Sequence, residues 1–562
     1  MHAVVLAGGQ GTRLRPYTAI LPKPLLPLGA RRPILGVILS RLAANGVRTV
    51  TLAVGTDLAV IRAYAGDGRR WGLTIDYAQE DEPLGTLGPL LPLLDRLPEQ
   101  FLVVNGDVLT DLDFAALFAH HRNERSSLTV AVGERTTSVD FGVVESADGR
   151  ITGFREKPTL RHDVNMGAYA VSRRALMPYR SGRPMGFDEL ISDLMHDGDP
   201  PAVFPWDGHW LDIGRPKDYE RASREFTSPE TTLAPACGTS AEITALRPDG
   251  ELVRVLLLGG SGFIGRHVWR ALAARPHVAV TTTGPRVGAA PYDPVGLDLV
   301  TDRISQLATL IDRIRPLAVV NCAGVTEGSI EELVAGNVVL VGNVIEAMRQ
   351  ADVGARLVHL GSAAEYGATA PTAAVSEADT PRPTSAYGMT KLVGTQLVTE
   401  ATITGCLTAT ALRAFNVLGP GSPPASLAGR IVAEVHRATE AGGGIRLGRL
   451  DTVRDFVDVR DVAHAAVLAA LGTCQLPEIL NIGRGEPVVV RRLVHEVAQL
   501  AGFTGEVHED GPIPPRSATI EWQCADIRRS REALGWEPSV SLRQSVTDLV
   551  RSTERIGSVA RR

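Results

Sequence analysis

Short runs of Val, Ile, Leu and Ala recur along the chain, and between them lie stretches whose apolar positions fall three and four residues apart. In the first 225 residues the runs at 3–7, 48–54, 101–105 and 127–132 have the length and β-branched content of buried strands, whereas 34–44 and 113–121 carry the helical period. That alternation predicts an α/β sheet. Between Phe226 and Leu252 the pattern dissolves into Thr, Ser, Pro, Ala and Gly, which reads as a linker. A second apolar strand begins at Val253, and strand and helix patterns then alternate again to about residue 550. The predicted fold class is α/β in two domains, residues 1–225 and 253–562, joined by 226–252.

Both domains open with a strand that runs into glycines, Leu6-Ala-Gly-Gly-Gln-Gly and Leu258-Gly-Gly-Ser-Gly-Phe-Ile-Gly, yet the two turns are not copies of one another. The first continues as Thr12-Arg13-Leu14, with Pro22-Lys23-Pro24 following. Bare backbone at Gly8, Gly9 and Gly11 lets N–H groups approach a triphosphate, and Arg13 and Lys23 bring charge that backbone lacks. It has no Walker A spacing. The second turn keeps Gly259, Gly262 and Gly265 three apart at the start of a helical pattern from Phe263 to Leu272, the context that a dinucleotide fingerprint requires.

Asp107 closes the run Val103-Val-Asn-Gly-Asp107, and Asp212 stands in Trp210-Leu-Asp-Ile-Gly214; two converging carboxylates suit Mg²⁺. Between them lie Glu156-Lys157-Pro158 and Asn165-Met-Gly167, a cation and polar groups suited to a sugar phosphate. Any one of these acids alone reads equally well as a helix cap or a surface ion pair. Taken in order, with Leu84-Gly85-Thr86, the motifs of residues 1–225 resemble those of the sugar-1-phosphate nucleotidylyltransferases over the whole domain. The resemblance implies a Rossmann-like nucleotidyltransferase fold in which Asp107 and Asp212 bind Mg²⁺ and Arg13 and Lys23 act on the triphosphate. It places Lys157 on the incoming sugar phosphate and Glu156, Gly142 and Asn165 against the sugar hydroxyls. Gly8, Gly9, Gly11, Thr12, Gly85 and Thr86 would line the substrate site. Phe141 stands where many relatives carry Tyr, and Glu80 stands where thymidylyltransferases carry Gln. A carboxylate offers acceptors only and suits the N1–H and N2–H₂ of guanine, so GTP is the expected nucleotide; a solvated acid is the other reading of Glu80.

In the second domain Leu360-Gly-Ser362-Ala-Ala-Glu-Tyr366-Gly precedes Tyr387-Gly-Met-Thr-Lys391. Residues four apart share a helix face, so the Lys391 ammonium can lower the phenol pKa of Tyr387 and hold a ribose. Residues 253–550 resemble the extended short-chain dehydrogenase/reductases that act on nucleotide sugars. This implies an NAD(P)-binding Rossmann fold with a small substrate-binding part. Tyr387 would be the acid/base, Ser362 its hydrogen-bonding partner, and Lys391 the ribose ligand. Gly259, Gly262, Phe263, Ile264, Gly265 and Ala323 would lie against the cofactor, with Asp298 near the adenine. Asn416, Arg454 and Arg516 would hold the diphosphate of an NDP-sugar. Ala363 and Ala364 occupy places where 4,6-dehydratases carry acids, which speaks against dehydration and leaves a ketoreductase or an epimerase. The segment Val278-Ala-Val-Thr-Thr-Thr283-Gly-Pro-Arg286 has no acid for an adenosine 2′-OH; its threonines and Arg286 tilt the expected cofactor from NAD(H) toward NADP(H).

Composition narrows the partners. Lys and Arg number 58 against 63 Asp and Glu, a net charge of −5 with no block of like charge, which gives no case for binding nucleic acid or an anionic membrane. No signal peptide and no membrane span are read, and five scattered cysteines without Cys-x-x-Cys spacing fit a reducing cytoplasm. The expected function is bifunctional: the first domain joins an NTP to a sugar-1-phosphate, and the second reduces or epimerises an NDP-sugar. A dehydratase, a domain reduced to a regulatory module, and assembly into a homo-oligomer all stay open at this point.

Overall fold

The computed structural model describes residues 1–560 apart from 10, 16, 30–31, 81, 226–251, 285–294, 301–303 and 512–519, with backbone alone at 138 and 554–560. All of the expected linker except Leu252 therefore lies outside the described residues, as do Arg286 and Arg516. The chain divides into two compact units, one within residues 1–222 and a second that contains residue 252 onward.

In the first unit the apolar run His2–Leu6 becomes a central strand whose Ala3, Val4 and Val5 are fully buried. It pairs in parallel with Thr49–Val54 on one side and Gln100–Asn105 on the other. Seven strands follow in the order Ala202–Trp206, Leu128–Ser138, Thr159–Ser172, Gln100–Asn105, His2–Leu6, Thr49–Val54 and Thr74–Gln79. Thr159–Ser172 runs antiparallel to both neighbours, so the sheet is mixed. The C-terminal half of that strand is buried from Met166 on, while its N-terminal half, paired with Leu128–Ser138, stands out of the core; the hairpin Val143–Ala147/Arg150–Arg155 lies between these two strands in the sequence. A separate short pair, Val108–Thr110 with Trp210–Asp212, closes beside the carboxyl end of Gln100–Asn105.

The second unit carries six parallel strands in the order Val278–Thr283, Val253–Leu258, Ala318–Asn321, Arg356–Ser362, Ala409–Ala414 and Ile479–Ile482. Parallel strands buried on both faces read as continuous apolar runs, and Val255 to Leu258, Ala318 to Val320 and Leu412 are all fully buried. The order reverses direction between Val253–Leu258 and Ala318–Asn321, and in open α/β sheets the ligand crevice lies outside the carboxyl ends of the strands at such a switch point. A smaller layer has its own core: Asn416–Leu418, Val453–Asp458 and Pro487–Val489 form three strands packed by the helices Leu427–Ala441, Val490–Leu500 and Leu542–Ala560.

Trp536 shows what ties the sheet core to the segment that follows it. The indole is fully buried and donates through Nε1 to the carbonyl of Asp461 at 3.0 Å, while the Asp461 carboxylate accepts the N–H groups of Ser539 and Val540. Trp536→Ala removes about 3–5 kcal/mol of packing. Hydrogen exchange should show lost protection in the strands Val253–Leu258 and Ile479–Ile482 and unchanged protection in Gln100–Asn105.

Candidate active sites

The glycine turn of the first unit begins where strand pairing stops. Ala7 N–H still reaches the Ala53 carbonyl at 2.7 Å, and Gly8, Gly9 and Gly11 then carry the chain over the sheet end. Nothing stands within 4 Å of the place a Cβ on Gly9 would take, which leaves that backbone open to a phosphate. Gly11 has φ of 60°, and a Cβ there would meet Thr18 at 2.9 Å and Lys23 at 3.3 Å. The turn Thr12–Leu14 buries Leu14 and exposes Thr12 and Arg13.

Gly106 presses its backbone onto this turn. Its N–H donates to the Leu6 carbonyl at 2.9 Å, and a Cβ would stand only 2.6 Å from that oxygen. The contact sets Asp107 beside the turn. Asp212 arrives through the short antiparallel pair, opposite Val108, with the Ile213 N–H donating to the Asp107 carbonyl at 3.1 Å. Lys23 makes an ion pair with Asp107. The Asp212 carboxyl is pushed above its ordinary range by burial and then by the charge of Asp107, with Lys23 and Arg13 pulling the other way. Arg13, Lys23, Asp107 and Asp212 thus share one electrostatic field. Two carboxylates that repel one another fit Mg²⁺, which takes one or two protein carboxylates and completes its shell with phosphate and water.

The sugar-side residues are more open. Lys157 is exposed at φ 43°, a left-handed backbone that a lysine adopts at some cost. A Cβ on Gly142 would stand 3.1 Å from a Glu156 carboxylate oxygen, so these two are neighbours. Asn165 is engaged inside its own strand: Nδ2 donates to the Tyr169 hydroxyl at 2.7 Å and Oδ1 accepts the Gly167 N–H at 2.9 Å. Glu80 lies against the turn, 2.7 Å from where a Cβ on Gly8 would be, and burial pushes its carboxyl up. Gly85, at φ 80°, packs on the Met185 carbonyl, and the Thr86 hydroxyl accepts the Phe187 N–H at 3.2 Å. Sequence reasoning passed over Arg135, whose guanidinium stacks 4.9 Å over the Trp210 ring.

In the second unit Gly259 meets Ala323 across the strand switch; a Cβ would stand 2.6 Å from the Ala323 nitrogen. Gly265 lies closer still, 2.1 Å from Cβ to the Gly259 oxygen, so only glycine fits there. The helix Phe263–Ala273 starts at Gly262 without a side-chain cap, leaving its first N–H groups for an anion. Thr282 packs on Gly260, and among the described residues the buried hydroxyls of Thr282 and Thr283 have no hydrogen-bond partner. Asp298 is exposed, with its carboxylate accepting the Val300 N–H at 2.9 Å. Uncapped amides, bare glycine backbone and orphaned hydroxyls together fit a dinucleotide.

Phe263 and Ile264 from this turn line a cleft of about 250 Å³ together with Ser362, Tyr387, Asn416 and Arg454. Ser362 ends its strand and accepts the Ala364 N–H at 3.2 Å. Ser385 caps the helix Ala386–Ile403, which carries Tyr387 and Lys391. Lys391 is buried, donates to the Leu360 carbonyl at 2.5 Å, and has its pKa pulled down by burial to about 8. Asn416 donates to the Asp455 carbonyl at 3.1 Å, and Arg454 spends N–H groups on the carbonyls of Val453 and Ile520. Ala363 and Ala364 also line the cleft, as does Arg430, which the sequence did not single out. A larger cavity of about 560 Å³ lies at the opposite ends of the strands beside Arg254, Leu317 and Arg356. Arg356 there serves the carbonyls of Ala469, Gly472 and Cys474, and among the described residues that line the cavity there is no acid.

Residues 2–228 match the profile described as nucleotidyl transferase, and residues 255–483 that of the NAD dependent epimerase/dehydratase family. The chain is 36% identical over 306 residues to dTDP-6-deoxy-L-talose 4-dehydrogenase (NAD(P)(+)) of Kitasatospora kifunensis, across 54% of this chain and 96% of that protein. It is 36% identical over 299 residues to mannose-1-phosphate guanylyltransferase of Mycobacterium tuberculosis, across 51% of this chain and 82% of that protein. The chain belongs to both families. A solved UDP-glucose 4-epimerase of Thermus thermophilus, complexed with NAD, is 30% identical over 54% of this chain and 99% of that one, with a TM-score of 0.47. The protein is thus a fusion of a nucleotidyltransferase with an epimerase/dehydratase-family enzyme of nucleotide sugars. Among the described residues no helix is long and apolar enough to cross a membrane.

Lys391 yields a pH test of the epimerase-family site. Its folded pKa is lowered to about 8, so the cation is present below that pH and lost above it. Affinity for NADPH or NADH, read by fluorescence from about pH 6 to 10, should fall as pH rises through about 8; an ordinary exposed lysine would hold the affinity to about pH 10.4.

Proposed function

We propose that residues 1–225 form a mannose-1-phosphate guanylyltransferase and residues 253–562 an NAD(P)-dependent oxidoreductase that acts at ring carbon 4 of an NDP-sugar, with 226–252 joining them. The observation that carries the first half is the convergence of Arg13, Lys23, Asp107 and Asp212 on one glycine turn. In this reading an oxygen of the sugar-1-phosphate attacks the α-phosphorus of GTP in line, a new P–O bond forms, and pyrophosphate leaves with the electron pair of the broken bond. Such transfer is served by positioning and charge, and no covalent enzyme intermediate is called for. Asp107 and Asp212 would hold Mg²⁺, which supplies neutralising charge to the phosphates when bound. Arg13 and Lys23 orient the triphosphate, Lys157 draws in the sugar phosphate, and Glu156 and Gly142 face its hydroxyls. Glu80, set against the turn, accepts from the guanine edge, in keeping with the guanylyltransferase relative.

In the second half the Tyr387 phenol gives a proton to the carbonyl oxygen as the carbon takes hydride, with Ser362 sharing that oxygen and Lys391 keeping the phenol acidic. The dinucleotide supplies the hydride when bound. Arg454 and Asn416 hold the diphosphate end; Arg516, expected there too, lies outside the described residues. Thr282 and Thr283 carry buried hydroxyls unmatched among the described residues, and the sequence Val278 to Arg286 holds no acid, which favours NADP(H); Arg286 itself lies outside the described residues. Ala363 and Ala364 offer no carboxylate to a sugar, which separates this site from a dehydratase. The relative named as a 4-dehydrogenase supports oxidoreduction over epimerisation. GDP-mannose carries no ring ketone, so a dehydration on another protein would stand between the two reactions.

Two variants separate the halves. Asp107→Ala should lower pyrophosphate release about 10²- to 10³-fold and spare NADPH oxidation by a 4-keto sugar nucleotide. Tyr387→Phe should do the reverse, by about 10²- to 10⁴-fold. Loss of neither activity would mean that the roles are misassigned. In competition GTP should outrun dTTP about 10- to 100-fold, the worth of a matched base edge at about 1–3 kcal/mol. Equal use of dTTP would sink the guanine assignment.

A further inference from the structure

The turn that presents Ser362 rests on a carboxylate that the mechanism leaves unused. Glu365 is fully buried, and its Oε1 accepts both the Ser362 N–H at 2.8 Å and the Thr395 hydroxyl at 3.0 Å. Its Oε2 accepts Arg413 Nε at 2.7 Å, and Arg413, on the neighbouring strand, is fully buried as well. Gly361 leaves room for this arrangement, since a Cβ there would stand 2.8 Å from Oε1. The Arg413 guanidinium lies 4.6 Å over the Tyr366 ring. The same short stretch holds Lys391, whose ammonium donates to the Leu360 carbonyl.

A buried ion pair is an expensive way to brace a turn, because apolar residues of the same volume often stabilise as well or better. Its charge must therefore serve something that shape alone would not. The groups facing Lys391 say what. Cys322, after the strand Ala318–Asn321, has its thiol pushed up to about 12 by burial and is neutral. His359, on the strand of Ser362, is held neutral by burial and by the charge of Lys391 itself. Tyr387 lies one turn earlier on the same helix, and Arg413 is a cation already paired with Glu365. Against the burial that disfavours it, the Lys391 cation is favoured first by Glu365 and then by Cys322, and of these two Glu365 is the carboxylate.

We propose that Glu365, backed by Arg413, is a positioning residue of the second active site: it clamps the Ser362 turn through backbone N–H and supplies the buried negative charge that keeps Lys391 a cation. The proposal rests on the reading of Tyr387 and Lys391 as the hydride-transfer site. Glu365→Gln keeps the size and one acceptor oxygen but discards the charge. Glu365→Gln combined with Arg413→Met removes both charges and leaves no guanidinium stranded. Glu365→Asp keeps the charge on a shorter arm.

The test is NADPH affinity of the full chain against pH for all four proteins, with near-ultraviolet circular dichroism reporting the fold. In Glu365→Gln and in the double variant the alkaline fall in affinity should move to lower pH by about one unit, a roughly fivefold weaker Kd at pH 8. Glu365→Asp should keep the original pH of that fall and lose kcat as the Ser362 turn slackens. Folded variants that keep the unaltered fall would overturn the proposal and leave Glu365 a brace of the fold. If the unaltered chain bound NADPH with no pH dependence, the reading of Lys391 would fail first, and this proposal with it.

Discussion

Backbone pressed against backbone, with no side chain between, is the constraint on which both sites depend. At Gly106 the carbonyl of Leu6 fills the space of a Cβ, and that contact carries Asp107 to the glycine turn. At Gly265 the carbonyl of Gly259 does the same, drawing a helix N-terminus to the end of the sheet. In each case an apolar strand ends abruptly and a glycine turn is set at the end of the sheet, where bare backbone can meet phosphates. A methyl group at either position would push apart the elements whose nearness makes the site.

From that shared start the two units manage buried charge in opposite ways. In the nucleotidyltransferase the carboxylates of Asp107 and Asp212 are left in mutual repulsion, relieved in part by Lys23 and Arg13. The arrangement is incomplete by itself and is suited to a cation and a polyphosphate that arrive together. In the epimerase-family unit the cation Lys391 is deeply buried and its counter-charge, Glu365, is built in beneath the Ser362 turn. One site borrows its balance from its ligands; the other brings it along. That difference matches phosphoryl transfer, where charge comes and goes with substrate, and hydride transfer, where a neutral carbonyl must meet a prepared acid.

Much of this was legible in the sequence because it is written locally. The strand at Val253–Leu258, the turn after it and the helix from Phe263 follow one another without interruption, and the Tyr387 and Lys391 spacing needs only a helix. What could not be read involves partners far apart in the chain. That Asp107 and Asp212 meet was expected from the family resemblance, but the two-strand pair that brings them together is announced by no periodicity. Nothing local marks Glu365, whose setting depends on Arg413 one strand away. Asn165 is expected at the sugar, and the hydrogen bonds by which its amide braces the irregularity in its own strand, where the register shifts before Tyr169, could not be foreseen. The stretch of Thr159–Ser172 that leaves the core was equally silent, since its alternation resembles that of any half-buried strand.

The central claim about the second unit is that it takes a dinucleotide from solution and passes hydride on for good, where an epimerase would keep one dinucleotide and return the hydride. Mass spectrometry of the small molecules released when the purified full chain is denatured tests this most directly. The account predicts well under one equivalent of retained dinucleotide, with NADP(H) dominant in whatever is found. A full equivalent of NAD⁺ or NADH in every chain would contradict it and make the second unit an epimerase that recycles its own hydride.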